Sequence, residues 1–160
     1  MFYGKYPYAL DSKGRISVPA KWRKQTSDDE FIGFVTPRGL TNSDRVCLHV
    51  YVESDFDAFM EKMESSRYSV VQAAETQILD RTVYLKLDAQ GRITLPPEIR
   101  KAIHLENENT AIMFGAKKHF EIWNEQDKAF DSEAAEKRVS VVDVLDGKVD
   151  TQAGGTAAEG

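Results

Sequence analysis

The 160-residue chain has one cysteine, three histidines and five prolines. No stretch of it approaches the roughly 18 consecutive apolar residues that read as a membrane span. A solitary Cys47 excludes an intrachain disulfide framework and a thiolate metal cage, as expected of a chain in a reducing cytoplasm. The opening MFYGKYPYAL interrupts its apolar residues with a lysine and tyrosines where a secretory leader needs an unbroken apolar core. Motifs for common chemistries are missing as well: no Walker lysine loop, no GxSxG and no motif-like pairing of Cys with His. His49, His104 and His119 fall on separate expected elements without ligand spacing, so they are expected to be satisfied or solvated, with no metal and no cofactor. The acids Asp28, Asp29 and Glu30 read as a solvated loop rather than paired catalytic carboxylates. An enzyme is not expected.

Excess positive charge is also lacking, since the formal net charge is −5. That total hides an uneven distribution. Residues 1–25 carry six basic side chains against Asp11 alone, and residues 82–101 carry four against two. The intervening and following stretches are acidic. An anionic partner responds to such local fields rather than to the net charge.

The two basic stretches are also where the chain repeats itself. LDSKGRISVPAKWRK (Leu10–Lys24) returns as LDAQGRITLPPEIRK (Leu87–Lys101), 77 positions later, with eight of fifteen columns identical. Strand candidates follow in each half, first Phe31–Val35 and Ala111–Phe114. Next come segments in which Leu48 and Val50, or Phe120 and Ile122, alternate as in half-buried strands. Each half ends in a helix. The first groups Phe56, Phe59, Met60 and Met63 on one face; the second does so more weakly with Phe130 and Ala134. The offset falls from 77 to 72 because PRGLTNSDR forms a longer loop in the first half. Residues 67–81 are expected to form a connecting helix with Val71, Ala74 and Ile78 on its apolar face. The organisation is thus a first repeat (1–66), this connector, a second repeat (82–138) and a polar tail (139–160), partly disordered at its end. Within the tail, Val139–Leu145 reads equally as a stray strand or a partner-binding strip. Trp22, Trp123, Phe56 and Phe59 are expected in the core or in subunit contacts.

Each block reads as strand, tight turn, strand and short helix. Gly14 and Gly91 stand where the turn needs positive φ, and Asp11 and Asp88 where a carboxylate can accept from unpaired turn amides. Pro19 and Pro96 stop the second strand and suit the first position of a short helix, which turns Trp22 or Ile99 inward. A hairpin this short is marginal alone in water. Two copies are therefore expected to interleave about a pseudo-twofold axis, burying each other's apolar faces.

The pattern D-x-x-G-R-[IV]-x-[IVL]-P-x-x-[apolar]-R, present twice and preceded by MF-x-G-x-Y, resembles the MraZ family of bacterial transcriptional regulators. These are two-copy members of the AbrB-like swapped-hairpin superfamily of DNA-binding proteins, and the resemblance covers about residues 1–130. It implies an α+β fold: two AbrB-like hairpin repeats interleaved as a pseudo-twofold double swapped-hairpin barrel with flanking short helices. It further implies rings of subunits that bind short tandem repeats in double-stranded promoter DNA, upstream of the division and cell-wall gene cluster and of the protein's own gene. Such a protein is cytoplasmic and nucleoid-associated.

Arg15 and Arg92 emerge directly after the turn glycine. A guanidinium held there by a stiff hairpin matches either a phosphate or the O6/N7 edge of guanine. Lys13 and Gln90, within the turns, add a phosphate contact and a neutral hydrogen-bonding contact. The expected DNA-binding set is therefore Lys13, Gly14, Arg15, Gln90, Gly91 and Arg92, with Asp11 and Asp88 organising the turns. A plainer reading pairs Arg15 only with Asp11, and the two are compatible. The rival function is an antitoxin-like protein whose acidic C-terminal region neutralises a partner.

Overall fold

The computed structural model describes residues 1–37, 40–64, 68–107 and 110–148, with residues 68–71 described by backbone only. The expected connector start at Arg67, the Val71 side chain, Arg38 and Gly39 of the long loop, and the tail from residue 149 lie outside the described residues.

The first half runs β1 (Lys5–Ala9), β2 (Arg15–Ser17), α1 (Ala20–Arg23), β3 (Glu30–Val35), β4 (Leu48–Tyr51) and α2 (Glu53–Glu64). α3 (Tyr68–Leu79) leads into β5 (Thr82–Lys86), β6 (Arg92–Thr94), α4 (Pro97–Ala102), β7 (Thr110–Gly115), β8 (Phe120–Asn124) and α5 (Glu125–Arg138). A short α6 (Val141–Leu145) follows. The strands form two antiparallel sheets, one of six strands in the order β1-β7-β8-β4-β3-β5 and a two-stranded ladder of β2 with β6.

This order answers the marginality of a lone hairpin. β1 of the first repeat pairs with β7 of the second, and β5 of the second pairs with β3 of the first. Among the described residues, β2 and β6 pair only with each other. In the ladder Ile16 lies opposite Ile93, its own counterpart in the repeat. In the large sheet His49 lies opposite Glu121, again counterparts. The pseudo-twofold axis therefore passes through both pairs. Repeat spacing is not a simple fall from 77 to 72. The registers make Phe31 the counterpart of Ala111, so three residues are gained after α4 before the long first-half loop reverses the balance.

Alternation along the strands distributes side chains to two buried layers. Phe31, Leu48, Val50, Leu85, Met113, Phe120 and Ile122 pack with Ile16, Val18, Trp22, Ile93, Leu95 and Ile99 from the ladder and its short helices. On the other face Ile32, Phe34 and Tyr51 meet Phe56 of α2 and Ile78 of α3, with Phe59, Met60 and Met63 packed against them as their spacing suggested. Cys47, Ile112 and Trp123 form a third apolar group. Because helices cover the second face, β4 is buried on both sides, not half-buried. Fully burying each such side chain stabilises by roughly 1.5–3 kcal/mol, far more than a free hairpin can recover.

Several expectations change. Pro19 and Pro96 sit at the helix N-caps, one position earlier than expected, and Pro97 takes the first helical position. α5 does not turn Phe130 inward: Phe130 is 49% exposed and stacks against Arg45. The inward residues are Asp127, Lys128 and Asp131. Lys128 Nζ lies 3.9 Å from the Phe114 ring centroid and 3.9 Å from Asp131, whose carboxylate also accepts from the Asn42 amide and Ser43 Oγ. Val141–Leu145 is a helix rather than a strand, with Val141, Val142 and Leu145 exposed. No helix among the described residues is long and apolar enough to cross a membrane.

Candidate nucleic-acid interface

The two repeated turns have one architecture. Gly14 and Gly91 both adopt φ of 74°, in the left-handed region that glycine reaches without a Cβ clash. The Gly14 amide donates to the Asp11 carbonyl at 3.0 Å, and the Gly91 amide to the Asp88 carbonyl at 2.9 Å. Asp11 Oδ1 accepts from the amides of Lys13 at 3.0 Å and Arg15 at 2.9 Å, while Arg15 Nε donates to Oδ2 at 2.5 Å. In the second turn Asp88 Oδ1 accepts from Gln90 and Arg92 amides at 2.9 Å, and Arg92 Nε donates to Oδ2 at 2.8 Å. Chiefly the hydrogen bond from the Arg15 amide, with help from its guanidinium and the Lys13 amide, holds the Asp11 carboxyl below its ordinary value. Arg92 and Gln90 do the same to Asp88.

Each arginine thus pairs with its turn aspartate, and it does so through Nε. The fork's terminal nitrogens can still be met from outside, and the side chains keep 31% and 28% of their accessible surface. Arg92 Nη2 also contacts Gln90 Oε1 at 3.3 Å, so Gln90 acts on its own hairpin's arginine. Lys13 is exposed.

The ladder decides which way these tips face. Arg15 pairs opposite Thr94 and Ser17 opposite Arg92, and cross-strand partners share a face. Ile16 and Ile93 between them fill the core at 1% and 0% exposure. Arg15 and Arg92 therefore leave the backbone on one outward face, as diagonal neighbours whose Cα atoms are roughly 7–8 Å apart.

Two further arginines contact these turns from the opposite repeat. Arg100 of α4 packs on Gly14, where a Cβ would fall 2.8 Å from its Nε and 2.9 Å from its Cζ. Arg23 of α1 packs on Gly91, where a Cβ would overlap its Nη1 and lie 2.5 Å from its Cδ. The Nε atoms of Arg23 and Arg100 are buried and have no hydrogen-bond partner among the described residues. The backbone repeats the exchange: Val18 N donates to Gly91 O at 3.0 Å and Leu95 N to Gly14 O at 2.9 Å. Arg23 and Arg100 count among the basic residues of the repeated blocks but stand outside the expected DNA-binding set. The available signal was their identity in both copies of the block.

The histidines lie on separate parts of the chain, as expected, but strand register brings two of them together. His49 Nδ1 lies 3.1 Å from His119 Nε2, which lies 3.2 Å from Glu121 Oε1. Cys47, His49 and Glu121 can also bring one ligand atom each within 4.8 Å of one another. Burial lowers His49 to about 4. Burial pushes Glu121 upward, but hydrogen bonds from His119 and Trp123 and the nearby His49 outweigh it and hold the carboxyl low. Burial, reinforced by the Glu121 charge, keeps Cys47 a thiol, well above its usual range. His104 instead meets Asp127 Oδ2 at 2.6 Å from its Nδ1.

Similarity to known proteins falls on this same duplicated framework. Residues 1–81 and 78–142 each match the model of the MraZ family, described as "MraZ protein, putative antitoxin-like". A protein of Natranaerobius thermophilus named transcriptional regulator MraZ is 34% identical over 79% of this chain and 82% of its own. Proteins of the same name from Limosilactobacillus fermentum and Thermomicrobium roseum are 32% and 34% identical, over 84% and 83% of this chain and 89% and 88% of theirs. The solution structure of PHS018 from Pyrococcus horikoshii aligns with 78% of this chain and 92% of that one at 15% identity, with a TM-score of 0.34.

Proposed function

The chain belongs to the MraZ family of transcriptional regulators, and from that membership we propose that it binds promoter DNA sequence-specifically through Arg15 and Arg92. The observation that carries this reading is the shared outward face of the β2–β6 ladder, where both guanidinium groups stand clamped by their turn aspartates. The Cα atoms of the two arginines are diagonal neighbours roughly 7–8 Å apart, while each guanidinium is held toward the aspartate of its own turn. Lys13 adds a phosphate contact, Gln90 orients Arg92, and Gly14 and Gly91, buried under Arg100 and Arg23, hold the turn conformation that presents both arginines.

One such face covers little DNA, so its intrinsic affinity is low. We read the chain as one subunit of a homo-oligomeric ring, in which repeated faces gain roughly 10²–10⁴ in avidity when box spacing fits. The six-stranded sheet supports a head-to-tail contact: β1 and β5 form its two edges, and Tyr6 and Tyr84 on them are exposed. The crossed pairing of the repeats is the single-chain counterpart of a swapped-hairpin barrel, with residues 1–66 and 82–138 as repeats, 67–81 as connector and 139–160 as tail. The regulated promoters are its own and that of the division and cell-wall cluster, with repression as the mode, in the cytoplasm at the nucleoid.

A second reading is favoured by the exposed Val141, Val142 and Leu145 of α6: a partner-neutralising role for the C-terminal region. Gel shifts on the DNA upstream of the gene, scanned over box number and salt, test the main reading. Affinity should rise steeply with a second box and fall with salt. Equal affinity for unrelated DNA of the same length would overturn sequence-specific binding. Removing residues 139–160 should leave that behaviour intact; loss of a co-purifying protein instead would support the second reading.

A further inference from the structure

On the helix-covered face of the large sheet, at the pseudo-twofold axis, three lone-pair-bearing atoms converge. His49 Nδ1 and His119 Nε2 are 3.1 Å apart, His119 Nε2 and Glu121 Oε1 3.2 Å, and His49 Nδ1 and Glu121 Oε1 3.8 Å. A tetrahedral zinc shell with bonds of about 2.0–2.1 Å separates neighbouring donors by about 3.3 Å. The observed triangle is close to one face of such a shell.

Hydrogen bonding alone does not satisfy this triangle. If His119 Nε2 carries a proton, that proton faces both His49 Nδ1 and Glu121 Oε1 and serves neither fully. If it does not, its lone pair faces the carboxylate lone pairs directly. In the first case two acceptors compete for one proton; in the second Glu121 Oε1 has no donor on this side. A single dication in the middle satisfies all three at once.

The surroundings orient the donors as metal ligands are usually oriented. Trp123 Nε1 donates to Glu121 Oε2 at 2.7 Å, leaving Oε1 toward the triangle. His49 Nε2 lies 3.5 Å from Cys47 Sγ, itself 3.2 Å from Thr36 Oγ1, so a proton on Nε2 leaves Nδ1 with a lone pair. Phe34 stacks on the His49 ring with centroids 5.0 Å apart, and Tyr51 on His119 at 4.7 Å. The rings are thus fixed before any ion arrives. His119 and Glu121 keep 17% and 14% of their side-chain surface, which gives an entry path, while His49 keeps 6%.

We propose that His49 Nδ1, His119 Nε2 and Glu121 Oε1 bind one divalent transition-metal ion of the zinc class, with Cys47 as the outer partner of His49. Two imidazoles and a carboxylate suit zinc, cobalt or nickel better than calcium or magnesium, which prefer all-oxygen shells. The site joins β4 of the first repeat to β8 of the second, so the ion fastens the two repeats at their seam. It lies on the face of the sheet away from the β2–β6 ladder, and its test is independent of DNA binding.

The experiment is titration of the chelator-treated full chain with zinc alone by calorimetry, with parallel thermal melts and cobalt absorption spectra. One ion per chain, a raised melting temperature and cobalt bands without a thiolate contribution are expected. His119→Ala, at the exposed edge, should weaken binding by roughly tenfold or more while its circular dichroism stays native. Glu121→Gln should do the same in a folded protein and serves as the second variant. Absence of heat and of any melting shift in the wild-type chain would overturn the proposal. So would zinc affinity unchanged in folded His119→Ala and Glu121→Gln, or a thiolate band placing Cys47 in the inner shell.

Discussion

Arg100, at the end of the second repeat's short helix, lies against Gly14 at the tip of the first repeat's hairpin, and Arg23 lies against Gly91 in the same way. Neither tip is complete within its own repeat. A change at one glycine therefore disturbs an arginine of the other repeat, 86 positions away for Gly14 and 68 for Gly91, and the account predicts coupled effects.

Alanine at Gly91 meets two penalties, the positive φ of 74° and the Arg23 side chain. The left-handed backbone alone costs about 1–2 kcal/mol, and displacement of Arg23 adds to it. Gly14→Ala meets the same backbone penalty with a looser overlap, against Arg100 Nε at 2.8 Å. Thermal melts should rank wild type above Gly14→Ala above Gly91→Ala, and both variants should bind promoter DNA more weakly than their stability loss alone explains.

Single Arg15→Ala and Arg92→Ala substitutions should leave the fold intact, because both side chains lie on the outward face of the ladder. Each should weaken specific binding by about 1–3 kcal/mol if the arginine contacts a base. Fluorescence anisotropy with cognate and scrambled duplexes separates the cases. A base contact loses discrimination, whereas a phosphate contact loses affinity evenly and flattens the salt slope.

Much of this was legible in the sequence, and the reasons differ by element. The turn could be read from Asp11, Gly14 and Arg15 because a tight turn allows few residue types, and the second copy removed coincidence. The apolar face of α2 was legible because Phe56, Phe59, Met60 and Met63 have helical spacing and no competing face. α5 misled because its inward face is polar: Asp127, Lys128 and Asp131 reach partners in the 40–45 loop and on β7, which no periodicity announces. The meeting of His49 and His119 was invisible for a related reason. It depends on β4 pairing with β8 across the repeats, a contact set by register rather than by local pattern.

The buried polar face of α5 makes its own prediction. Lys128 and Asp131 keep only 7% and 5% of their side-chain surface. Asp131→Ala leaves the Lys128 ammonium buried without that carboxylate and frees the Asn42 amide and Ser43 hydroxyl. Breaking a buried pair from one side costs about 3–5 kcal/mol, so urea unfolding should show an unfolding free energy lower by that amount, read as a lower midpoint at unchanged slope. Ala substituted at both positions should recover part of it.

The turn aspartates set a pH response. Asp11 and Asp88 lie below the ordinary value of 3.8 in the folded chain. Their contribution is complete above the unfolded-state value and is lost as pH falls through the lower folded value. Between pH 5 and 8, on that reasoning, the turns should contribute equally. In melts taken at decreasing pH, wild type should lose its advantage over Asp11→Asn/Asp88→Asn only in strong acid. An advantage lost already near neutrality would contradict this linkage.

The shared outward face of Arg15 and Arg92 is tested most directly by the double substitution Arg15→Ala/Arg92→Ala, assayed on the two-box promoter fragment alongside its circular dichroism and oligomer size. The account predicts a folded, normally assembled protein whose preference for the promoter over scrambled DNA is gone. Promoter affinity and discrimination equal to wild type, in a protein of the same size and spectrum, would contradict it.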